Sequence, residues 1–320
     1  MRYLKRRAIH GALLLLGVSV LCFLFSDLAP GSFFDEMKLN PQISPSTVSA
    51  LRSQYGLDQP LPVRYGRWMM SVIRGDWGYS FAYNTPVRSL LLARARNTLL
   101  LTVSATLLSW LVAIPVGTWI AGRAGRWEDR IVLTGTSLFL AVPELVLVLF
   151  LLYWVVRTHA LPAGGMTSAG FDGLTPKSKL WDLTAHLVVP VTTLVLVSLP
   201  ILIRHVRTSM VEALRAPFVQ AARAFGIGRT RLLFRYALPV AANPLISLFG
   251  LSIAGLLSGS LLVEAIMGWP GLGPLLLEAA VSRDIYVVVG AVMTSTLFMI
   301  LGSFLADFIL VIVDPRVRLE

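Results

Sequence analysis

The sequence predicts an all-α membrane protein with six transmembrane helices and both termini on the cytoplasmic side. Three observations lead there. Apolar residues make up 56% of the chain and charged residues 14%, with a mean hydropathy of +0.73, whereas water-soluble domains carry about a quarter charged residues. The apolar surplus falls in six runs, 8–25, 98–121, 131–156, 186–203, 245–266 and 286–313. Each is long enough to cross a hydrocarbon core of roughly 30 Å at about 1.5 Å per residue. Finally, with the N-terminus inside, the inner segments hold sixteen Lys and Arg against four in the short outer loops, the positive-inside bias.

The first run follows Arg2, Lys5, Arg6 and Arg7. A secretory signal peptide has this outline, but the apolar core is long for one, and Pro30 stands at a poor cleavage position. A retained helix is the expectation. Cys22, the only cysteine, excludes an internal disulfide or a zinc cluster and reads as a small buried hydrophobe. Residues 26–97 form a long, proline-punctuated extracytoplasmic segment; its eight Lys and Arg escape the charge rule because the loop exceeds about 60 residues. Within it, Val48–Tyr55 and Val63–Ile73 have helical character, and Gly75-Asp76-Trp77-Gly78 reads as a turn. The domain division expected is 1–97, the first helix plus this segment, and 98–320, a five-helix core with a cytoplasmic loop at 204–242. Pro115, Pro143, Pro190 and Pro200 fall inside spans, where neighbouring helices can satisfy the freed carbonyls.

Within the 204–242 loop, Phe218, Ala221, Ala222 and Phe225 recur at offsets of three, four and seven, one face of a two-turn helix. Gly226 supplies the left-handed residue that ends such a helix. Leu238-Pro239 closes a second basic segment, Arg229–Ala237. Two readings are open: a helix lying among lipid head groups, or a lever gripped by another protein.

Gln220-Ala221-Ala222, Gly226 and Leu238-Pro239 keep every spacing of the EAA loop of ABC importer permeases, which this stretch resembles. Gln220 stands where Glu is usual and Tyr236 where Ile is usual. Tyr55-Gly56-Leu57-Asp58-Gln59-Pro60-Leu61 and Arg74-Gly75-Asp76-Trp77-Gly78-Tyr79-Ser80 resemble the N-terminal region of the dipeptide, oligopeptide and nickel branch. So do Leu262-Val263-Glu264, Trp269-Pro270-Gly271-Leu272-Gly273, Arg283-Asp284 and the closing Asp314-Pro315-Arg316-Val317-Arg318. The resemblance implies a type I importer permease in a bacterial or archaeal inner membrane, working by alternating access. It implies a second related permease, two ATPase subunits and an extracytoplasmic binding protein. The motor contact would be made by Phe218, Gln220, Ala221, Ala222, Arg223, Phe225, Gly226, Leu238 and Pro239. Cargo would be a di- or oligopeptide, with nickel or another small solute as the alternative. An ion-coupled secondary transporter is a rival class, but it would need duplicated broken helices at its ion site, and no such pair is visible.

Enzymatic chemistry finds no foothold. No G-x-x-x-x-G-K-[ST] loop occurs, so ATP hydrolysis would belong to partner subunits. No nucleophile elbow occurs either. His10, His159, His186 and His205 lie near span boundaries without metal-ligand spacing, so no metal and no cofactor are expected. The net charge of +11 could signal nucleic acid, yet the arginines cluster beside apolar runs, where membrane lipid is the natural partner. Of the intramembrane acids, Glu144 is expected roughly 20 Å into its helix, facing a polar pathway or bonded to a neighbour. Glu264 and Asp307 are expected to be structural. Gly255 and Gly259 form a G-x-x-x-G pair, read either as internal packing or as a pathway-lining seam with a second permease.

Overall fold

Proline and hydroxyl residues set where several helices begin. The computed structural model describes residues 2–28, 44–54 and 58–313; Tyr55–Leu57 and the closing Asp314–Arg318 motif lie outside the described residues. Helix α1 (Arg2–Leu28) is followed by α2 (Pro45–Gln54). There Pro45 takes a first-turn position that needs no N–H, and Ser44 Oγ accepts from the Thr47 amide at 3.2 Å. α3 (Leu61–Ile73) carries Pro62 in its first turn. Gly75 and Gly78 then turn the chain at φ +87° and +94°, backbone that glycine alone adopts freely. A two-residue antiparallel ladder follows, β1 (Tyr79–Ser80) against β2 (Thr85–Pro86), with Tyr79 opposite Pro86. Otherwise the described structure is helical.

Next come α4 (Val87–Ala121), α5 (Trp127–Ala141), α6 (Glu144–Thr158) and α7 (Pro176–Ala213). Thr175 Oγ1 caps α7 by accepting from the Ser178 amide at 3.4 Å. The remainder is α8 (Pro217–Ala224), α9 (Arg229–Arg231), a π-helical turn (Leu232–Ala237), α10 (Leu238–Ile266), α11 (Leu272–Val281) and α12 (Ile285–Val313). Among the described residues, five stretches are long and apolar enough to cross a membrane: Arg6–Leu28, Val87–Ala121, Pro176–Ala213, Arg229–Ile266 and Ile285–Ile312. The bent pair α5 and α6 makes six if it counts as one span.

One expectation is corrected here. The run 131–156 is not one helix: α5 and α6 meet at 92°. Val142, held extended at φ −82° and ψ 119°, takes the conformation that a following proline ring imposes. Pro115, Pro190, Pro200 and Pro244, by contrast, sit inside continuous helices. The basic segment does end at Leu238-Pro239, with no Lys or Arg after Arg235 until Arg283, but the helix that carries it runs on through the proline to Ile266. Pro239 has no N–H and its ring crowds the carbonyl four residues back. The wider π turn over Leu232–Ala237 lies immediately before it, where the ordinary ladder must open.

The chain forms two compact units, Met1–Thr98 with Pro270–Phe298 and Leu99–Trp269 with Met299–Glu320. In the first, Phe23 of α1 packs its ring 5.4 Å from Tyr65 and 5.1 Å from Trp68 of α3. Val87 and Leu91 pack with Leu275, Ala279 and Val287. Gly290 allows this approach, since a Cβ there would lie 2.6 Å from Leu91 Cδ1. Buried Asp284 holds the hairpin by accepting from Ser80 Oγ at 2.7 Å and the Ala82 amide at 3.2 Å.

In the second unit, α7 is the central element. One apolar cluster joins Trp110, Ile120, Val206, Met210, Leu232 and Leu233; another joins Leu101, Val148, Leu194, Val263 and Trp269. Polar ties fix their register: Ser109 Oγ lies 2.8 Å from Ser198 Oγ, and Trp110 Nε1 donates to Ser252 Oγ at 2.9 Å. Backbones approach most closely at Gly250, where a Cβ would lie 2.3 Å from Ala306 Cβ.

Candidate coupling helix and pathway groove

Helix α8 is short, and its ends are set by local chemistry. Pro217 opens it behind an extended Ala216. The Gln220 side chain reaches back and donates Nε2 to the Arg215 carbonyl at 3.2 Å, satisfying an oxygen left over where α7 ends. A glutamate there could not donate this bond, which gives the unusual Gln220 a structural use. At the other end, Ile227 N donates to Ala222 O at 3.3 Å and Gly226 N to Arg223 O at 3.0 Å. These two bonds are a Schellman motif, which requires a left-handed residue at Gly226; its φ is +79°.

The four residues expected to share one face divide between two. Ala222 turns inward with Val219 and joins the apolar cluster beneath, at 7% and 1% exposure. Phe218 and Phe225 point out, 54% and 87% exposed, with Ala221, Gln220 and Arg223 also at the surface. Val219, three residues before Ala222 on the buried face, lies outside the stripe of Phe218, Ala221, Ala222 and Phe225 and is identified as core only by what packs beneath the helix. Beyond Gly226, the buried Leu232, Leu233 and Ala237 of the π turn anchor the return segment in the same cluster. Leu238 is half-buried and Pro239 exposed. Thus 218–226 form one helix and its turn, and 238–239 lie within the next helix.

Glu144, Gly255 and Gly259 do come together. They line one groove of about 400 Å³, with Leu194, Ser198 and His205 among the other walls. Glu144 is not deep within a helix as expected: it is the first residue of α6, just after the bend. Its Oε1 is buried and meets no hydrogen-bond partner among the described residues. A Cβ at Gly255 or Gly259 would meet nothing within 4 Å, so neither glycine is there to admit a described neighbour. Glu264 is fully buried and accepts from Ser260 Oγ at 3.2 Å. No group of three His, Cys, Asp or Glu able to hold a metal gathers among the described residues.

Residues 113–319 match the family described as "Binding-protein-dependent transport system inner membrane component". Residues 1–102 match "Binding-prot-dependent transport system membrane comp, N-term". The chain is 32% identical over 317 residues to the oligopeptide transport system permease protein AppB of Bacillus subtilis, covering 99% of each. It is 31% identical over 325 residues to OppB of Mycobacterium tuberculosis, covering 100% of this chain and 99% of the relative. It is 30% identical over 320 residues to the glutathione transport system permease protein GsiC of Salmonella paratyphi A, covering 99% of each. A solved chain of the MetNI methionine ABC transporter in an inward facing conformation superposes with a TM-score of 0.52 at 19% identity. That match covers 70% of this chain and 96% of the other, a likeness of fold.

Proposed function

This chain belongs to the family of inner membrane components of binding-protein-dependent transport systems, and from that premise we propose that it conducts di- or oligopeptides inward by alternating access. The observation that carries the cargo is full-length similarity to a permease named for oligopeptide transport, 32% identical over 99% of both chains. Members of such systems work with ATPase and binding-protein partners. For this chain we take the set to be two ATPase subunits, a second homologous permease and an extracytoplasmic binding protein.

In this reading residues 1–97 supply the first helix and the outer segment, and 98–320 the conducting core. The loop 204–242 faces the cytoplasm. What supports α8 as the lever is its outer face: two phenylalanines more than half exposed, Phe218 in its first turn and Phe225 at its C-cap, suit a groove in a partner. Phe218, Ala221 and Phe225 enter that groove. Ala222 and Val219 tie the helix to the core, and Gly226 sets its angle. What supports Glu144, Gly255 and Gly259 as pathway residues is their shared groove and the unpartnered carboxylate oxygen, a costly feature in a membrane segment.

The test is uptake of a labelled tetrapeptide into vesicles holding the full transporter and its binding protein. Accumulation that requires ATP and is displaced by unlabelled peptide supports the reading. ATP-driven accumulation of another solute with peptide ignored would replace the cargo and leave the class standing.

A further inference from the structure

A second cavity, independent of the cargo groove, opens where α4 ends and the Arg229–Ile266 helix begins. It encloses about 470 Å³, within the range of about 300–1,000 Å³ usual for small-molecule sites. Pro115, Val116, Leu233 and Phe234 make its apolar walls, and Arg123 and Arg229 stand at its polar end. Both helices are membrane spans by length and composition, so the cavity lies where a span meets its basic connecting loop.

The charges at that end are out of balance. Arg123, Arg126 and Arg223 all act repulsively on Arg229, against one attractive carboxylate, Glu128. Glu128 is engaged through Oε1, 3.2 Å from Arg123 Nε, while its Oε2 is buried and meets no hydrogen-bond partner among the described residues, leaving one carboxylate among four guanidinium groups. Arg123 also lies over the Trp119 ring, 4.4 Å from its centroid, which fixes the guanidinium beside the opening. Arg229 donates to the Gly122 carbonyl, one use of a group with five N–H donors. Two held guanidinium groups above an apolar slot match a phosphodiester above acyl chain.

We propose that this cavity is a binding site for one anionic glycerophospholipid, its phosphodiester between Arg123 and Arg229 and its acyl chain against Val116, Leu233 and Phe234. Basic pockets between membrane helices bind anionic head groups by this chemistry. The apolar walls set the ligand apart from a free phosphate. An acidic side chain of a neighbouring subunit would satisfy the arginines without filling the slot.

The experiment is native mass spectrometry of the assembled transporter exchanged into detergent with palmitoyl-oleoyl phosphatidylglycerol or the matching phosphatidylcholine. Wild type should retain phosphatidylglycerol preferentially. Arg123→Gln with Arg229→Gln should weaken retention by about twenty-fivefold, taking about fivefold per arginine near a membrane surface. Arg123→Lys with Arg229→Lys should keep most of it, which separates lost charge from lost fold. Soluble glycerol phosphate should fail to compete. Retention indifferent to head-group charge or to the Gln substitutions would overturn the proposal, as would equal competition by glycerol phosphate. So would Thr230→p-benzoylphenylalanine crosslinking to a subunit instead of lipid.

Discussion

Arg207 holds Asp129 at two points, its Nε 2.5 Å from Oδ1 and its Nη2 2.6 Å from Oδ2. The Gly125 amide adds a third bond to Oδ2 at 2.8 Å. The carboxylate is 2% exposed and the guanidinium side chain 22%. The pair therefore fastens the first turn of α5, and through Gly125 the loop ahead of it, to the C-terminal end of α7, the helix that leads into α8.

The asymmetry of exposure sets the first prediction. Arg207→Ala strands a buried carboxylate and should cost about 3–5 kcal/mol. Asp129→Ala leaves an arginine that can reach water and should cost less, about 1–2 kcal/mol. The double variant should cost less than the sum of the two. Thermal unfolding of the purified transporter in detergent measures all three, and additive losses would refute the pairing.

Gly226 should tolerate substitution in the order Asn, Ala, Val. No described atom lies within 4 Å of its missing Cβ, so space is not the constraint; the left-handed φ is. A side chain there costs roughly 1–2 kcal/mol, least for Asn and most for a β-branched residue. Gly226→Val should keep the subunit in the membrane while lowering peptide uptake relative to ATP hydrolysis. Near-wild-type uptake per ATP hydrolysed would remove Gly226 from the lever.

Two sets of glycines on α10 should behave oppositely. Gly250→Ala would drive a methyl into Ala306 and should destabilise by about 1–3 kcal/mol or more. Gly255→Ala and Gly259→Ala should be neutral or stabilising by up to about 1 kcal/mol, since they enter open space on a helix. Gly255→Leu, which fills the groove, should lower uptake without lowering the melting temperature, and Glu144→Gln should do the same. If either left uptake untouched, that residue would have no place in the pathway.

Tyr83 donates its hydroxyl to Glu278. Burial first, and then that bond to a carboxylate, push the Tyr83 pKa up to about 12. Because the folded value lies above the usual value of about 10, the contribution is fully present below about pH 10. It is lost as pH rises through about 12. Hydrogen-exchange protection of the Tyr79–Pro86 hairpin should therefore hold from neutral pH to about pH 10. Tyr83→Phe should lower it about fivefold at neutral pH, the value of a partly exposed bond of about 1 kcal/mol. Unchanged protection in that variant would show that the bond contributes nothing.

Features governed by neighbours in sequence were legible without a structure. Five of the six apolar runs fall within single long helices, and the stripe Phe218, Ala221, Ala222 and Phe225 followed by Gly226 announced a helix with a left-handed stop. Features governed by distant packing were not. Pro143 breaks its run while Pro115 and Pro190 do not, and only the charge of Glu144 beside it, where valine follows the other two, sets it apart in the chain. Ala222 and Ala221 are the same residue one step apart, yet one is core and the other surface, decided by what lies under α8. Asp129 and Arg207 are 78 residues apart, and no periodicity joins them. The G-x-x-x-G spacing drew attention to Gly255 and Gly259, whereas the tight approach is at Gly250, which is identified only by Ala306 opposite.

The most direct measurement is crosslinking from the outer face of α8. In a Cys22→Ser background, single Ala221→Cys and Phe225→Cys variants of the assembled transporter are treated with a short bifunctional thiol reagent, with and without ATP. The expected result is capture of an ATPase subunit from both positions, with a yield that changes on adding nucleotide. Failure to capture an ATPase subunit, or labelling of these thiols in intact cells by a reagent that cannot cross the membrane, would contradict the lever.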